Sequence, residues 1–151
     1  MNEVRLIQID IDGTPHEDAG ILSKQAADVC AQTAALYRSV GFNPPWVGYL
    51  AMQELQVVGT CAFSAAPKDG RVEIAYFTFP EFEGRGIATL MARKLIEITH
   101  ASDEHLIVFA QTLPVVNASN SILKRLGFKF AGEVSHPEEG IVWEWQLHDI
   151  H

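Results

Sequence analysis

The chain has 151 residues, enough for one domain spanning 1–151 that buries about 68–70% of its unfolded surface without help from disulfides or metal. Its composition, 48% hydrophobic and 20% charged, excludes general disorder, and 19 acidic against 11 basic residues (net −8) argue against a nucleic-acid binder. Two cysteines make no disulfide framework, no apolar run nears the ~18–20 residues of a membrane span, and the first ten residues carry Glu3, Arg5 and Asp10 rather than a signal peptide. The expectation is a reduced, soluble, cytoplasmic protein that engages neither membrane nor nucleic acid.

Residues 4–10 alternate loosely and predict a strand, ended by Asp12, Gly13 and Pro15. Ser23 reads as the N-cap of a helix whose apolar or small residues Ala26, Val29, Cys30, Thr33, Leu36, Tyr37 and Val40 recur at three- and four-residue steps; Gly41 closes it. Asn43, Pro44 and Pro45 cannot continue a helix. Residues 47–52 and 55–64 predict a hairpin, and 71–79, rich in aromatic and β-branched residues, a third consecutive strand. After a glycine-containing turn, Ile87, Leu90, Met91, Leu95 and Ile98 mark a second amphipathic helix. Residues 105–111, nearly all apolar, predict a strand buried on both faces. A short helix over 119–126, closed by Gly127, precedes two last strands over 128–134 and 141–147. In the final one Trp143, Trp145 and Leu147 share one face, Glu144 and Gln146 the other. The order β-α-β-β-β-α-β-α-β-β predicts an α/β (α+β) fold with a sheet of mixed direction, and an exposed final strand is a place where a second copy can pair to form a homodimer.

Charge is uneven. Residues 68–129 hold eight of the eleven bases, while both flanking stretches are net acidic. More exposed helix accounts for this, and so does an anionic ligand. The segment 77–89 is where such a ligand would sit, although glycines that simply make the turn are the alternative, which a two-glycine turn taken alone favours. There a strand ends at Phe79, a turn carries Gly84 and Gly86, and a helix follows. The first N–H groups of a helix have no internal partner and sit at the positive end of its dipole, so the turn suits a diphosphate. A dinucleotide fingerprint wants a third glycine where Thr89 stands, and an acid where the next strand ends in Gln111 and Thr112; a P-loop wants Gly-Lys-Ser/Thr. Neither is present.

Glu83-Gly84-Arg85-Gly86-Ile87-Ala88 resembles the Arg/Gln-x-x-Gly-x-Gly/Ala signature of the GNAT superfamily of acetyl-CoA-dependent N-acetyltransferases, and Asn117 to Phe128 resembles the short helix ending in Lys/Arg-Leu-Gly-Phe near the end of that fold. The element order agrees over nearly the whole chain, and the ribosomal-protein N-terminal acetyltransferases, which have a serine in this kind of motif, are one type it resembles. The resemblance implies a mostly antiparallel sheet of about seven strands, helices on both faces, and two central parallel strands that splay apart. It implies acetyl-CoA as co-substrate and no metal. The backbone of Phe77, Thr78 and Phe79 would pair with the pantetheine arm. The amides of Gly84, Arg85, Gly86, Ile87, Ala88 and Thr89 would hold the diphosphate, with a charge contact from Arg85. Glu83 departs from the pattern, since a carboxylate does not favour phosphate.

The implied reaction is direct transfer of acetyl to an amine, either of a small molecule or of a protein N-terminus, in a ternary complex. The amine must be neutral to attack. Deprotonation at pH 7 costs roughly 4–5 kcal/mol for a lysine-like amine and about 1 for an α-amino group. Glu73, in the strand leading to the glycine turn, is the candidate base; an ordinary strand carboxylate paired with Arg71 or Lys68 is the alternative. The tyrosine that many relatives use to protonate the leaving thiolate is replaced by Leu123. Ser119, one turn back, is the substitute the resemblance offers, and a helix N-cap is its other reading. An asparagine often found three residues before that serine is Val116 here; Asn117 and Asn120 are the neighbours left to reach the pantetheine. Trp46 and Tyr49 follow the Pro-Pro turn, where this fold shapes its acceptor pocket, with core packing the alternative. Cys30 and Cys61 read as core. The six histidines show no metal spacing, and His148 and His151 sit in a tail expected to fray. A non-catalytic acyl-CoA-binding module, which suits the missing tyrosine, and a nucleotide-binding regulatory domain are the competing functions.

Overall fold

The computed structural model describes residues 3–115 and 117–148; Val116 and His151 lie outside the described residues. The elements follow the predicted order. Strand β1 (Arg5–Gln8) leads to helix α1 (Lys24–Val40), then β2 (Gly48–Gln53), β3 (Gln56–Phe63) and β4 (Arg71–Thr78). Helix α2 (Ile87–Ser102), β5 (Ile107–Thr112), α3 (Ala118–Arg125), β6 (Lys129–His136) and β7 (Gly140–Leu147) complete it.

The strands form one seven-stranded sheet in the order β1-β2-β3-β4-β5-β7-β6. Every pair is antiparallel except β4 and β5. A parallel pair cannot be closed by a hairpin, so the chain crosses over through α2. The predicted exposed final strand is corrected: β7 is paired on both sides, and β1 and β6 form the edges. The returning chain lays β7 against β5 and leaves the earlier strand of that hairpin outside.

The two long helices cover opposite faces. Ser23 caps α1 by accepting from Ala26 N–H at 3.1 Å, and the N–H of Gly41 (φ +93°) closes it on Tyr37 O. The Tyr37 hydroxyl donates to Ile9 O (2.7 Å) and accepts from Gly48 N–H (2.9 Å), fastening α1 to β2 and the turn after β1. On the other face α2 buries Ile87, Met91, Leu95 and Thr99, one row at four-residue spacing. The core joins Ile7, Leu50, Val58, Phe63, Val72, Ile74 and Val108 to this row, and both cysteines are buried.

Two expectations change. Helix α3 begins at Ala118 and is capped by Asn117, whose side chain accepts from Asn120 N–H at 3.2 Å, so Ser119 lies inside the first turn and is not the N-cap. Strand β5 buries Val108 and Ala110 but leaves Ile107 and Phe109 only half-buried, because their face carries a polar cluster instead of a helix.

Gly59 marks the tightest approach in the sheet, since a Cβ there would lie 2.6 Å from Phe77 O and 3.2 Å from Met91 Cε. Gly59→Ala is expected to destabilise the fold by about 1–3 kcal/mol, read as a loss of several degrees in Tm. A variant as stable as the wild type would show that β3, β4 and α2 can separate freely there.

Candidate active site

Strands β4 and β5 pair only at Arg71–Ile107, Val72–Val108 and Glu73–Phe109. Beyond Glu73, β4 continues to Thr78 on β3 alone, and β5 continues to Thr112 on β7 alone. The two strands therefore part, and the free edge of β4 faces a gap. N–H and C=O groups of alternate residues share an edge. Glu73 O accepts from Ser64 N–H and Phe79 N–H donates to Val58 O, which commits the odd-numbered residues to β3. Gly70 O accepts from Ile107 N–H on the opposite side. Tyr76 and Thr78 therefore present their backbone to the gap. Of the expected trio, Thr78 keeps that position, while Phe77 and Phe79 turn their peptide groups toward β3.

The gap opens into a cleft of about 850 Å³. Its walls are residues 76–78 of β4, residues 86–89 at the start of α2, and Ser119, Ile122 and Arg125 of α3. Between β4 and α2, Phe79 is buried as an anchor (1% exposed) and Pro80–Phe82 make one 3-10 turn. Gly84 (φ +81°) and Gly86 (φ +76°) then adopt left-handed backbone that favours glycine. Gly86 is the N-cap of α2 and no side chain caps the helix, so its first amides remain available. A Cβ on either glycine would meet nothing within 4 Å; the space in front of the amides is open. Among the predicted residues the cleft brings together Phe77, Thr78, Gly84, Gly86, Ile87, Ala88, Thr89 and Ser119.

The others lie elsewhere. Arg85 is exposed beside the cleft, its guanidinium 5.4 Å from the Phe82 ring. Asn117 is occupied as the α3 cap. Asn120 is 4% exposed; its Oδ1 accepts from Thr112 Oγ1 (2.6 Å) and its Nδ2 donates to Val115 O. Trp145 Nε1 in turn donates to Thr112 Oγ1 at 3.1 Å. Asn120 thus ties α3 to β5 and β7 rather than reaching into the gap. Trp46 packs edge-on against Phe63 at 5.0 Å, and the buried Tyr49 donates its hydroxyl to Pro45 O at 2.7 Å. Neither lines the cleft.

The sequence reading missed Tyr76, Ile122 and Arg125. The i, i+3 step from Ser119 through Ile122 to Arg125 was readable as one helical face that brings a cation to the cleft. Tyr76 was hidden by strand alternation. Its hydroxyl is buried without a hydrogen-bond partner, and burial pushes its pKa up to about 12, so it remains a protonated donor.

Glu73 stands where the strands part, on the sheet face opposite α2, in the polar cluster that takes the place of a helix there. It borders a cavity of about 280 Å³ shared with Ser64, Lys68, Asp69, Arg71 and Phe109. Burial raises its pKa; a hydrogen bond with the Ser64 side chain and the charges of His136 and Arg71 oppose this, while Glu144 adds to it. Arg71 is paired elsewhere: its Nη2 lies 2.7 Å from Glu144 Oε2, and its guanidinium stacks 4.1 Å from the Phe109 ring centroid. Among the described residues no group of three or more His, Cys, Asp or Glu side chains is placed to hold a metal, and no helix is long and apolar enough to cross a membrane.

A carboxylate whose folded pKa is raised opposes folding once ionised: the stability present at low pH is lost as pH rises through the folded pKa. Glu73→Gln is therefore expected to raise Tm near pH 7, with the gain vanishing below about pH 4. A Tm difference that stays constant across that range would show that the Glu73 charge carries no burial cost.

The acetyltransferase (GNAT) domain family matches residues 15–129. No curated protein matches the sequence. Among solved structures, the acetyltransferase from Salmonella typhimurium that modifies the N-terminal serine of ribosomal protein L7/L12 is 14% identical with a TM-score of 0.67, over 99% of this chain and 97% of that one. The microcin C7 self-immunity acetyltransferase MccE, solved with acetyl-CoA and AMP, is 16% identical with a TM-score of 0.65, over 82% and 70%. The Salmonella typhimurium protein yncA, solved with acetyl-CoA, is 18% identical with a TM-score of 0.61, over 93% and 83%. At these identities the likeness is one of fold.

Proposed function

Because the chain belongs to the GNAT acetyltransferase family, we propose that it moves the acetyl group of acetyl-CoA directly to an amine bound on the α1 side of the sheet. The observation that carries this reading is the continuity of the free β4 edge with the uncapped start of α2. Together they offer strand-like hydrogen bonds for an extended amide arm and, at its end, a cluster of amides for a diphosphate. The chain's own groups fit that ligand. The cleft is long enough to bridge the two features, Gly84 and Gly86 leave the amides open, and Arg125 adds positive charge on the α3 wall. When bound, acetyl-CoA supplies an acetyl group activated as a thioester.

The protein's part is to hold, align and move a proton. Tyr76 and Thr78 orient the arm through their backbone, which directs the reactive end toward the parting of the strands. There Glu73 takes the proton from the incoming ammonium, directly or through water, and its raised pKa matches that task. Ser119, on the α3 wall, is the hydroxyl assigned to the departing sulfur. The acceptor is the amine of a small molecule or the α-amino group of a peptide. The α-amino group needs the smaller deprotonation cost, and the Salmonella typhimurium relative of similar fold acts on an N-terminal serine. A second reading, an acyl-CoA-binding module without catalysis, has one observation in its favour: Leu123, where many relatives have the tyrosine acid, is wholly buried and no hydroxyl replaces it in place.

Calorimetry with acetyl-CoA tests binding. The wild type is expected to bind, and Gly86→Val to lose most affinity. Because nothing in the protein crowds that position, the change in Tm of Gly86→Val should reflect only backbone strain of about 1–3 kcal/mol. An unaltered affinity would remove the diphosphate from these amides. Release of free thiol in a panel of amines and N-terminal peptides separates enzyme from binding module. In that assay Ser119→Ala is expected to lower turnover about tenfold with Tm unchanged; full turnover would end its assignment.

A further inference from the structure

Two carboxylates compete for one guanidinium beside the parting of β4 and β5. Arg71 and Glu73 are two residues apart on β4 and therefore share a face. Phe109, over which Arg71 stacks, is the register partner of Glu73 on β5. The guanidinium is thus within reach of Glu73, yet its ion pair is made with Glu144 on β7, at 2.7 Å. Glu144 is held in turn: it is 9% exposed, and its Oε2 also accepts from Gln146 Nε2 at 2.9 Å. Arg71 Nε is buried without a hydrogen-bond partner, so Glu144 is the acceptor that fixes the fork. Among the described residues Glu73 makes no ion pair.

We infer that Glu144 is a positioning residue that holds Arg71 off Glu73 and so keeps the Glu73 carboxylate free to accept a proton. This rests on reading Glu73 as the base. The groups facing Glu73 are Arg71 from its own strand, Ser64 following β3, Lys68 and Asp69 of the β3–β4 turn across the shared cavity, His136 of β6 and Glu144 of β7. Loss of the Glu144 charge acts on Glu73 in one direction by two routes. It removes a neighbouring negative charge, and it releases a cation that moves to the remaining carboxylate. Both favour the ionised form and weaken the base. The proton at stake passes from the acceptor's ammonium nitrogen to a Glu73 carboxylate oxygen, with no change in oxidation state.

Carbon-13 NMR of Glu73 in the intact protein tests this without any knowledge of the acceptor. In Glu144→Gln the Glu73 titration midpoint is expected to fall by about one pH unit, and adding Arg71→Gln to that variant should bring it back up. Glu144→Met answers the same question if Glu144→Gln does not fold. With an amine that the wild type accepts, the acid limb of kcat/KM should move to lower pH by the same interval and the plateau should drop about tenfold. An unshifted Glu73 midpoint in Glu144→Gln, or a double variant that stays as low as the single one, overturns the inference. Full activity of Glu73→Gln overturns the underlying reading instead, so the two failures are told apart.

Discussion

The site depends on the failure of two neighbouring strands to stay together. Strands β4 and β5 share three residue pairs and then diverge, which leaves five residues of β4 with one partner strand instead of two. Unpaired backbone donors and acceptors inside a sheet are costly unless water or a ligand meets them. Here the parting creates a cleft, and the cleft ends at a helix start that is also short of acceptors for its amides. One defect in sheet pairing and one uncapped helix, joined by eight residues of chain, thus line a single cleft, and the proposed binding of acetyl-CoA rests on that continuity.

The surrounding structure holds that gap open. Helix α2 locks β3 and β4 from one side through the Gly59–Met91 contact, and the Trp145–Thr112–Asn120 chain locks β5, β7 and α3 on the other. Each wall is thus braced against its own strands, while one hydrophobic cluster, from Ile74 and Met91 to Val108, Leu123 and Trp145, runs beneath both. The polar cluster of Arg71, Glu73 and Glu144 sits where the halves still meet, on the face opposite α2.

Much of this was legible in the sequence, for identifiable reasons. Periodicity and turn residues placed the three α-helices and seven strands of the described residues, but not the 3-10 turn Pro80–Phe82, and local chemistry placed the caps at Ser23 and Gly41. The glycine turn was recognisable because Gly84 and Gly86 are required by backbone geometry that other residues rarely adopt. What escaped were properties set by pairing partners far along the chain. Asn120 reads as a free amide in sequence, yet Thr112 and Val115 consume its polar groups. The position of β7 inside the sheet, and the choice of Arg71 for Glu144 over Glu73, depend on which strands end up adjacent; Arg71 and Glu144 are 73 positions apart. The contact of Trp46 with Phe63 and the bond from Tyr49 to Pro45 O likewise need partners that the Pro-Pro turn does not name.

Strand β4 spends its two edges on different partners: odd-numbered residues serve β3, even-numbered ones the gap. Its side chains alternate in step, so Glu73 shares a face with Phe77, which borders α1, while Ile74 enters the opposite core layer. A single residue gained or lost between Glu73 and Thr78 would exchange all of these assignments at once. It would turn the amides of the gap inward and carry the downstream glycines out of phase with the carboxylate. The spacing from Glu73 to Thr78 is for that reason a fixed length in this protein, intolerant of insertion or deletion.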